Sequence, residues 1–149
     1  MNYGYLCNEI QHFSAMAKIT VQNTQITVLQ WAEQDYISLT DMASAKEGDS
    51  RSADIIKNWI RNRYTIEFLG TWEVIHNPNF KVVEFDHFRK SAGLPSFVLS
   101  ASEWIECTSA IGLVVKKGRY GGTYAHKDIA FEFGSAISVP FKLYLIEEF

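Results

Sequence analysis

The amino-acid sequence predicts a single domain that combines β-hairpins with several short helices. Partly alternating apolar residues flank a polar turn at Asn23-Thr24, and a glycine-rich basic run follows two valines near residue 116. Between these two regions, and again after the second, apolar residues recur at helical spacing. A chain of 149 residues with 47% hydrophobic content can bury one sizeable core. We interpret residues 1–15 as an N-terminal extension and a candidate for disorder, and residues 16–149 as the domain.

Alternation, helix caps and loop residues predict five elements in the first half of the chain: a β-hairpin over 19–29, a strand over 36–39, and helices over 40–45, 53–63 and 65–75. The expected N-terminal caps of the three helices are Thr40 or Asp41, then Ser52, then Thr65. In the third helix, apolar side chains at core spacing are expected to be buried: Phe68, Leu69, Trp72 and Ile75.

The second half is predicted to contain four helices and one hairpin. The first two helices are expected over 86–92, with Gly93 as the stop, and from Ala101 to a stop at Gly112. A basic hairpin is expected around 114–126. It is followed by a helix over 127–137 and by a last helix that begins at Pro140. The apolar pattern of that last helix still runs at Phe149. We therefore expect this to be the N-terminal domain of a longer protein, with a short complete protein as the alternative.

The net charge of −3 is unevenly distributed along the chain. Residues 1–50 hold two cations against six carboxylates, residues 51–127 hold eleven against seven, and residues 128–149 hold one against four. The middle segment therefore carries +4 between acidic ends, which favours a polarised surface more than the total charge suggests. The same excess also occurs in proteins that bind nothing charged.

The most informative stretch spans residues 116–126, where three glycines interrupt three cations and two tyrosines without a carboxylate. Lys and Arg neutralise phosphates, Gly allows close backbone approach, and Tyr can pack on a sugar or a base. The pattern is therefore typical of a hairpin tip that contacts a polyanion. The alternative is an ordinary solvated hairpin.

The helix predicted over 53–63 is the second chemical signal. Its apolar arc would dock on the core, while the opposite arc presents two cations and two amides: Lys57, Asn58, Arg61 and Asn62. Arg and Asn are the side chains that pair bidentately with guanine and adenine edges in the major groove. A routine amphipathic helix with a solvated polar face is the alternative interpretation.

The sequence offers little catalytic or cofactor chemistry. Its four histidines lie far apart, no metal-binding or nucleotide-binding spacing is present, and the His–carboxylate neighbours Asp86-His87 and His126-Asp128 are typical of surface pairs or helix caps. No apolar run approaches membrane-spanning length, and two isolated cysteines indicate an intracellular protein with reduced thiols. We expect no enzyme activity, cofactor or metal.

From Lys18 to Phe149 the chain resembles the KilA-N domain of phage and bacterial proteins, which is related to fungal APSES DNA-binding domains. The segments that carry the resemblance are ISLTDMA over 37–43, IKNWIRNR over 56–63, the stretch 65–73, and GRYGGTYAHKDIA over 118–130. The chain departs from the family at two places. Ala136 stands where members tend to carry Trp, and residues 138–140 replace a more usual Ser-Pro-acid run.

The resemblance implies an α+β fold of winged helix-turn-helix kind that binds double-stranded DNA, in a cytoplasmic transcriptional regulator or phage antirepressor. The interpretation has two parts: Lys57, Asn58, Arg61 and Asn62 face the major groove, and a basic wing grips the backbone or minor groove through Lys116, Lys117, Arg119, Tyr120 and Lys127. The competing reading helix, residues 101–110, presents Glu103 and Glu106, which phosphates would repel.

Two other functions stay open at this point. The first is a protein-interaction module of antirepressor type that binds a repressor through its acidic ends. The second is a metal-dependent nuclease that would use Asp86, His87 or His126. The sequence specifies neither an oligomeric state nor a target site.

Overall fold

In the computed structural model, which describes residues 15–149, one antiparallel sheet has the strand order β1-β2-β3-β5-β4. The strands are β1 Ala15–Val21, β2 Thr24–Trp31, β3 Gln34–Ser38, β4 Leu113–Lys116 and β5 Gly122–His126. β5 pairs with β3 in the register Tyr36↔His126, so a hairpin from late in the chain completes a sheet begun at its start. Both predicted hairpins are confirmed.

Two tight turns connect the first three strands. Gln22 and Asn23 have φ values of 47° and 66°, and Ala32 and Glu33 have values of 51° and 64°. Two successive left-handed residues match the right-handed twist of the flanking strands, which is why two-residue hairpins favour this geometry. Asn23 adopts it at little cost, whereas the other three residues are held in it by strand pairing.

Seven α-helices lie in the described part of the chain: α1 Leu39–Glu47, α2 Ser52–Ile60, α3 Arg63–His76, α4 Val82–Ser91, α5 Ala101–Thr108, α6 Lys127–Ile137 and α7 Val139–Glu147. A single 3₁₀ turn, Asp49–Arg51, precedes α2. The fold is therefore α+β, with helices inserted between the two hairpins and two helices after the second. None of these helices has both the length and the apolar character that crossing a bilayer requires.

The core forms where the helices cover one face of the sheet. Ile26, Ile37 and Ala125 point from three neighbouring strands into the same buried cluster as Trp104 and Phe133 of the helices. A smaller cluster lies on the opposite face, where the sheet buries four side chains with Trp31 packed beside them: Leu29, Tyr36, Val114 and Tyr124. Because strand side chains alternate, β2, β3, β4 and β5 contribute to both clusters, whereas β1 contributes only to the large one.

Several helices begin earlier than predicted. Ser38 caps α1 by accepting a hydrogen bond from Asp41 N at 3.0 Å, so neither Thr40 nor Asp41 is the cap. Asp41 instead accepts from Thr27 N at 2.8 Å, a long-range contact that the local sequence does not reveal. α3 begins at Arg63 rather than at a Thr65 cap, and Thr65 is buried. The helix predicted over 86–92 begins at Val82.

Two helix ends also differ from the prediction. α2 begins at Ser52 without a side-chain cap and ends at Ile60, so Arg61 and Asn62 lie in the turn that leads to α3. α5 ends at Thr108, and Ser109 follows in the left-handed region at φ 59°. The predicted stop, Gly112, therefore lies beyond the end of the helix.

One prediction of burial is wrong. Ile75 was expected in the core but is 70% exposed, because α3 turns that position outward at its last turn. The last helix buries Phe141 and Leu145 and leaves Leu143 and Ile146 exposed. The predicted N-terminal extension lies outside the described residues except for Ala15, where β1 begins.

Candidate nucleic-acid interface

The tip of the β4–β5 hairpin, residues 117–121, is a compact turn held by its own backbone. Gly121 N donates to Gly118 O at 2.9 Å, and the Tyr124 hydroxyl donates to Tyr120 O at 2.7 Å. Lys116 Nζ donates to Arg119 O at 3.3 Å. Burial raises the pKa of Tyr124 to about 12, so its hydroxyl stays protonated and keeps this bond at neutral pH.

Three cations surround the exposed Tyr120 ring at this tip. Arg119 Cζ lies 5.3 Å from the ring centroid, and the ammonium groups of Lys116 and Lys18 each lie 5.9 Å from it. The ring face attracts cations and partly offsets their mutual repulsion. The result is a concentrated positive surface with an aromatic centre, which we call the basic tip: Lys18, Lys116, Lys117, Arg119 and Tyr120.

Lys18 belongs to β1 and is not among the residues that the sequence predicts for this surface. β2 and β3 separate β1 from β5 in the sheet, a width of about 14 Å. The long side chains of Lys18 and Tyr120, together with the extension of the tip over the face of the sheet, span that distance. No local signal identifies Lys18, because only the strand order brings it near Tyr120.

Contact with the start of α1 fixes the direction of the hairpin. Thr123 N donates to Thr40 Oγ1 at 3.0 Å. Gly122 has a φ of 144°, and a Cβ at this position would lie 2.7 Å from the same Thr40 oxygen. A side chain therefore does not fit here, and glycine permits both the backbone angle and the close approach.

Most of the polar face predicted for α2 is exposed to solvent in the structure. Lys57 and Asn58 are exposed on the helix, while Arg61 is half-buried just beyond its end. Arg61 Nη2 donates to Pro95 O at 3.1 Å, and Asn62 Nδ2 donates to Asn58 O at 3.3 Å. The guanidinium is thereby held against the loop after α4, and the Asn62 amide has one internal partner.

A cleft of about 390 Å³ separates α2 from the chain around the start of α5. Its apolar wall includes Val98, and its charged and polar lining comes from Arg51, Asp54, Lys57, Asn58, Arg61, Ser100 and Glu103. Arg51 and Asp54 are not among the predicted site residues, although positions 51, 54, 58 and 61 share one face at helical spacing. Glu103 was predicted on a competing helix, but α2 and α5 contribute to the same cleft.

The structure does not bring Lys127 to the basic tip. β5 runs from Gly122 at the tip to His126, so Lys127 lies at the opposite end of the strand as the first residue of α6. Its side chain is half-buried.

A buried carboxylate binds the turn before β4, the strand that leads to the tip. Glu73 on α3 is 1% exposed and accepts hydrogen bonds from Ile111 N at 2.9 Å, Gly112 N at 2.6 Å and Asn77 Nδ2 at 2.9 Å. Burial raises the pKa of Glu73, while these three donors oppose the rise. Tyr36 also donates to Ile111 O at 2.9 Å, so the turn before β4 is held from two sides.

His126 acts as a helix cap. Its Nδ1 accepts from Asp128 N at 3.1 Å, so Nε2 carries the proton and donates to Gln34 Oε1 at 2.8 Å. Burial lowers the pKa of His126, which favours this neutral form. Asp86 pairs with Arg89 at 2.5 Å. Within residues 15–149, no three potential metal ligands cluster.

Comparison with known proteins places these features in one family. A model of the KilA-N domain matches residues 19–149, from β1 to the last residue. No curated protein and no solved structure has a significant match to the chain. Because the matched region includes both hairpins and all seven helices of the described residues, the chain belongs to the KilA-N domain family.

Proposed function

We propose that the chain is a sequence-preferring module that binds double-stranded DNA. The observation that carries the proposal is the placement of two exposed surfaces that α1 connects: the polar face of α2 with its flanking arginines, and the basic tip of the hairpin. α1 contacts the hairpin through Thr40 and leads directly into α2 through residues 48–51. Membership of the KilA-N family supports the same function.

The helix pair α1–α2 supports a helix-turn-helix role. The connection is short and contains Gly48 at φ 85°, as expected for a sharp turn between two such helices. In helix-turn-helix proteins the second helix enters the major groove. α2 is that helix here, and its exposed Lys57 and Asn58 are suited to contacts with base edges.

The basic tip supports the role of a wing. Its cations can neutralise phosphates, and the exposed edge of Tyr120 can pack on a sugar. Its position is fixed by Gly122, Thr40 and the Tyr124 hydroxyl, so little ordering is needed on binding. We assign the tip to the DNA backbone or minor groove and α2 to sequence reading.

The carboxylates in the cleft bear on specificity. Asp54 and Glu103 lie beside Arg51, Lys57 and Arg61, where they repel phosphates but can accept a hydrogen bond from the cytosine amino group. A cleft with both charges therefore favours base edges over backbone. The hydrogen bond to Pro95 O holds the Arg61 guanidinium at this site before DNA arrives.

The test is a binding selection from random duplexes at two salt concentrations, followed by affinity measurements on preferred and random DNA. Log affinity is expected to fall with log salt, with a slope of about 0.9 per phosphate neutralised. Arg61→Ala should weaken preferred sites more than random DNA, and Arg119→Ala should weaken both and flatten the slope. Lys90→Ala, an exposed position on α4, is the matched control. Equal losses on both sequence classes for Arg61→Ala would refute the assignment of the α2 face, which Arg61 extends, to sequence reading.

A repressor-binding antirepressor role has less support from the geometry. Asp41, one of the acidic residues that could imitate DNA charge, accepts a hydrogen bond from Thr27 N within the fold. Recovery of a repressor in a pull-down, together with no binding to duplex at low salt, would favour that role. We further propose that the module is not an enzyme, and plasmid incubated with Mg²⁺ or Mn²⁺ should remain intact.

A further inference from the structure

The outer face of α7 carries an apolar stripe that the fold leaves exposed. Val139 is 63% exposed, Leu143 57% and Ile146 40%. At 100° per residue these three side chains fall within about 60° of one another, opposite the buried Phe141 and Leu145. An exposed, aligned stripe on a helix whose other face is already packed indicates an interaction surface.

The spacing of the stripe is that of a coiled-coil seam. Steps of four and then three residues place Val139, Leu143 and Ile146 at d, a and d positions of a heptad. Lys142 then occupies a g position and Glu147 the following e position. In a parallel pair of helices, a g residue faces the e residue five positions later on the other helix, so each lysine would face a glutamate of the second copy.

The two flanking charges have no ionic partner among the described residues. Within residues 15–149, Lys142 and Glu147 form no salt bridge. The backbone of α7 is nevertheless firmly seated, because a Cβ at Gly134 of α6 would lie only 3.4 Å from Lys142 Cα. The stripe and its flanking charges are thus presented on a helix that is packed in place.

We propose that this stripe, defined by Val139, Leu143 and Ile146, is the surface through which two copies of the chain associate, with their α7 helices parallel. The charge pattern selects the partner: the surface is complementary to itself, and each parallel pair contains two Lys142–Glu147 contacts. An antiparallel pair would instead place Lys142 opposite Lys142 and Glu147 opposite Glu147.

The association is weak because the seam is short. Three apolar positions cover less than two heptads, so we expect a dissociation constant of about 0.1–1 mM for the 149-residue chain. On DNA, a twofold pair would engage two half-sites, and the effective concentration of the second copy would strengthen binding. Self-association itself needs no DNA, so its test is independent of the proposed function.

Sedimentation equilibrium of the chain up to about 1 mM tests the proposal. The wild-type chain should show a monomer–dimer equilibrium, which Leu143→Glu abolishes and Tyr144→Ala, outside the stripe, leaves unchanged. Lys142→Glu and Glu147→Lys should each weaken association several-fold, and the double variant should restore it. A monomeric wild type, or single charge changes without effect, would overturn the parallel pairing.

Disulfide trapping gives a second readout that captures weak pairs. In a chain with Cys7 and Cys107 replaced by Ser, Leu143→Cys should form a covalent dimer under mild oxidation, because a positions of parallel helices face each other. Tyr144→Cys should form far less. Equal yields from the two variants would also refute the proposed seam, and circular dichroism checks that each variant is folded.

Discussion

At the scale of single residues, Glu73 links the interior to the β4–β5 hairpin. Its two carboxylate oxygens are shared among three donors, two of them backbone amides of the turn that enters β4. Removing such a group leaves buried donors without acceptors, which costs more than the net value of the bonds themselves. The carboxylate therefore stabilises the loop despite the unfavourable burial that raises its pKa.

Glu73→Gln should lower the free energy of unfolding by about 1–3 kcal/mol, because an amide has one acceptor and would place an NH₂ group against an N–H donor. Urea denaturation measures the loss. Glu67→Gln is the matched control on the same helix: its side chain is 50% exposed and pairs with Arg63 at 3.6 Å. That control should change stability by less than about 0.5 kcal/mol. Equal effects of the two substitutions would contradict the role assigned to Glu73.

His126 should make stability fall as pH falls. Burial lowers its pKa in the folded state below the ordinary 6.5, so below pH 6.5 the unfolded chain takes up a proton that the folded chain resists. The stability contribution is present above pH 6.5 and is lost as pH falls from 6.5 toward the lowered pKa. Glu73 acts in the opposite direction, because its raised pKa disfavours the folded state as pH rises through it.

His126→Asn separates the two effects, since Asn can still accept the capping bond from Asp128 N but does not titrate. The difference in unfolding free energy between wild type and variant, measured from pH 7.5 to 5, should shrink as the wild type loses its contribution. A difference that stays constant over this range would show that His126 has the same pKa in both states.

At the scale of elements, the hairpin and α1 meet in a close contact that only glycine permits. Gly122→Ala should destabilise the fold by about 1–3 kcal/mol, because the new Cβ meets Thr40 Oγ1 at 2.7 Å in a backbone conformation that favours glycine. Gly118→Ala is the control for strain alone, since its φ is also positive, at 79°, but no atom lies within 4 Å of the added Cβ. Thermal unfolding should show a larger loss for Gly122→Ala than for Gly118→Ala, and similar losses would mean that the Thr40 contact is unimportant.

The elements also show how far sequence patterns reach. The range 127–137 matches α6 in full, because its apolar spacing is regular and Pro140 follows soon after. The break after Ile60 has no glycine or proline to announce it, and Asn62 leaves the helix at ψ 138° while Arg61 bonds to Pro95 O. That end is determined by packing against a distant loop, which local patterns do not contain.

In the candidate site, too, some residues are predictable from local sequence patterns and others are not. The basic run and the polar face of α2 are contiguous or periodic, so the sequence predicts them, and the structure places both on exposed surfaces. Lys18 and Glu103 enter only through strand order and through the packing of α5 beside α2. Residues brought together by topology carry no local signature of their shared surface.

For the whole molecule, sheet topology makes a prediction that no single segment could. Lys18 reaches the basic tip from β1, 5.9 Å from the Tyr120 ring, although about a hundred residues separate the two in the chain. If the tip contacts DNA backbone, Lys18→Ala should weaken binding to preferred and random duplexes alike and reduce the salt slope by about 0.9, the value expected for one lost phosphate contact. The variant should fold normally, because Lys18 is exposed.

Affinity on both DNA classes at three or more salt concentrations provides the measurement, with Lys90→Ala as the control for a general loss of positive charge. Both variants lower the net charge equally, so long-range attraction changes to a similar extent in each. Only a cation at the interface releases counterions on binding, and only its removal should change the slope. A slope for Lys18→Ala that equals those of the wild type and Lys90→Ala would place β1 outside the DNA-facing surface and confine the wing to the hairpin itself.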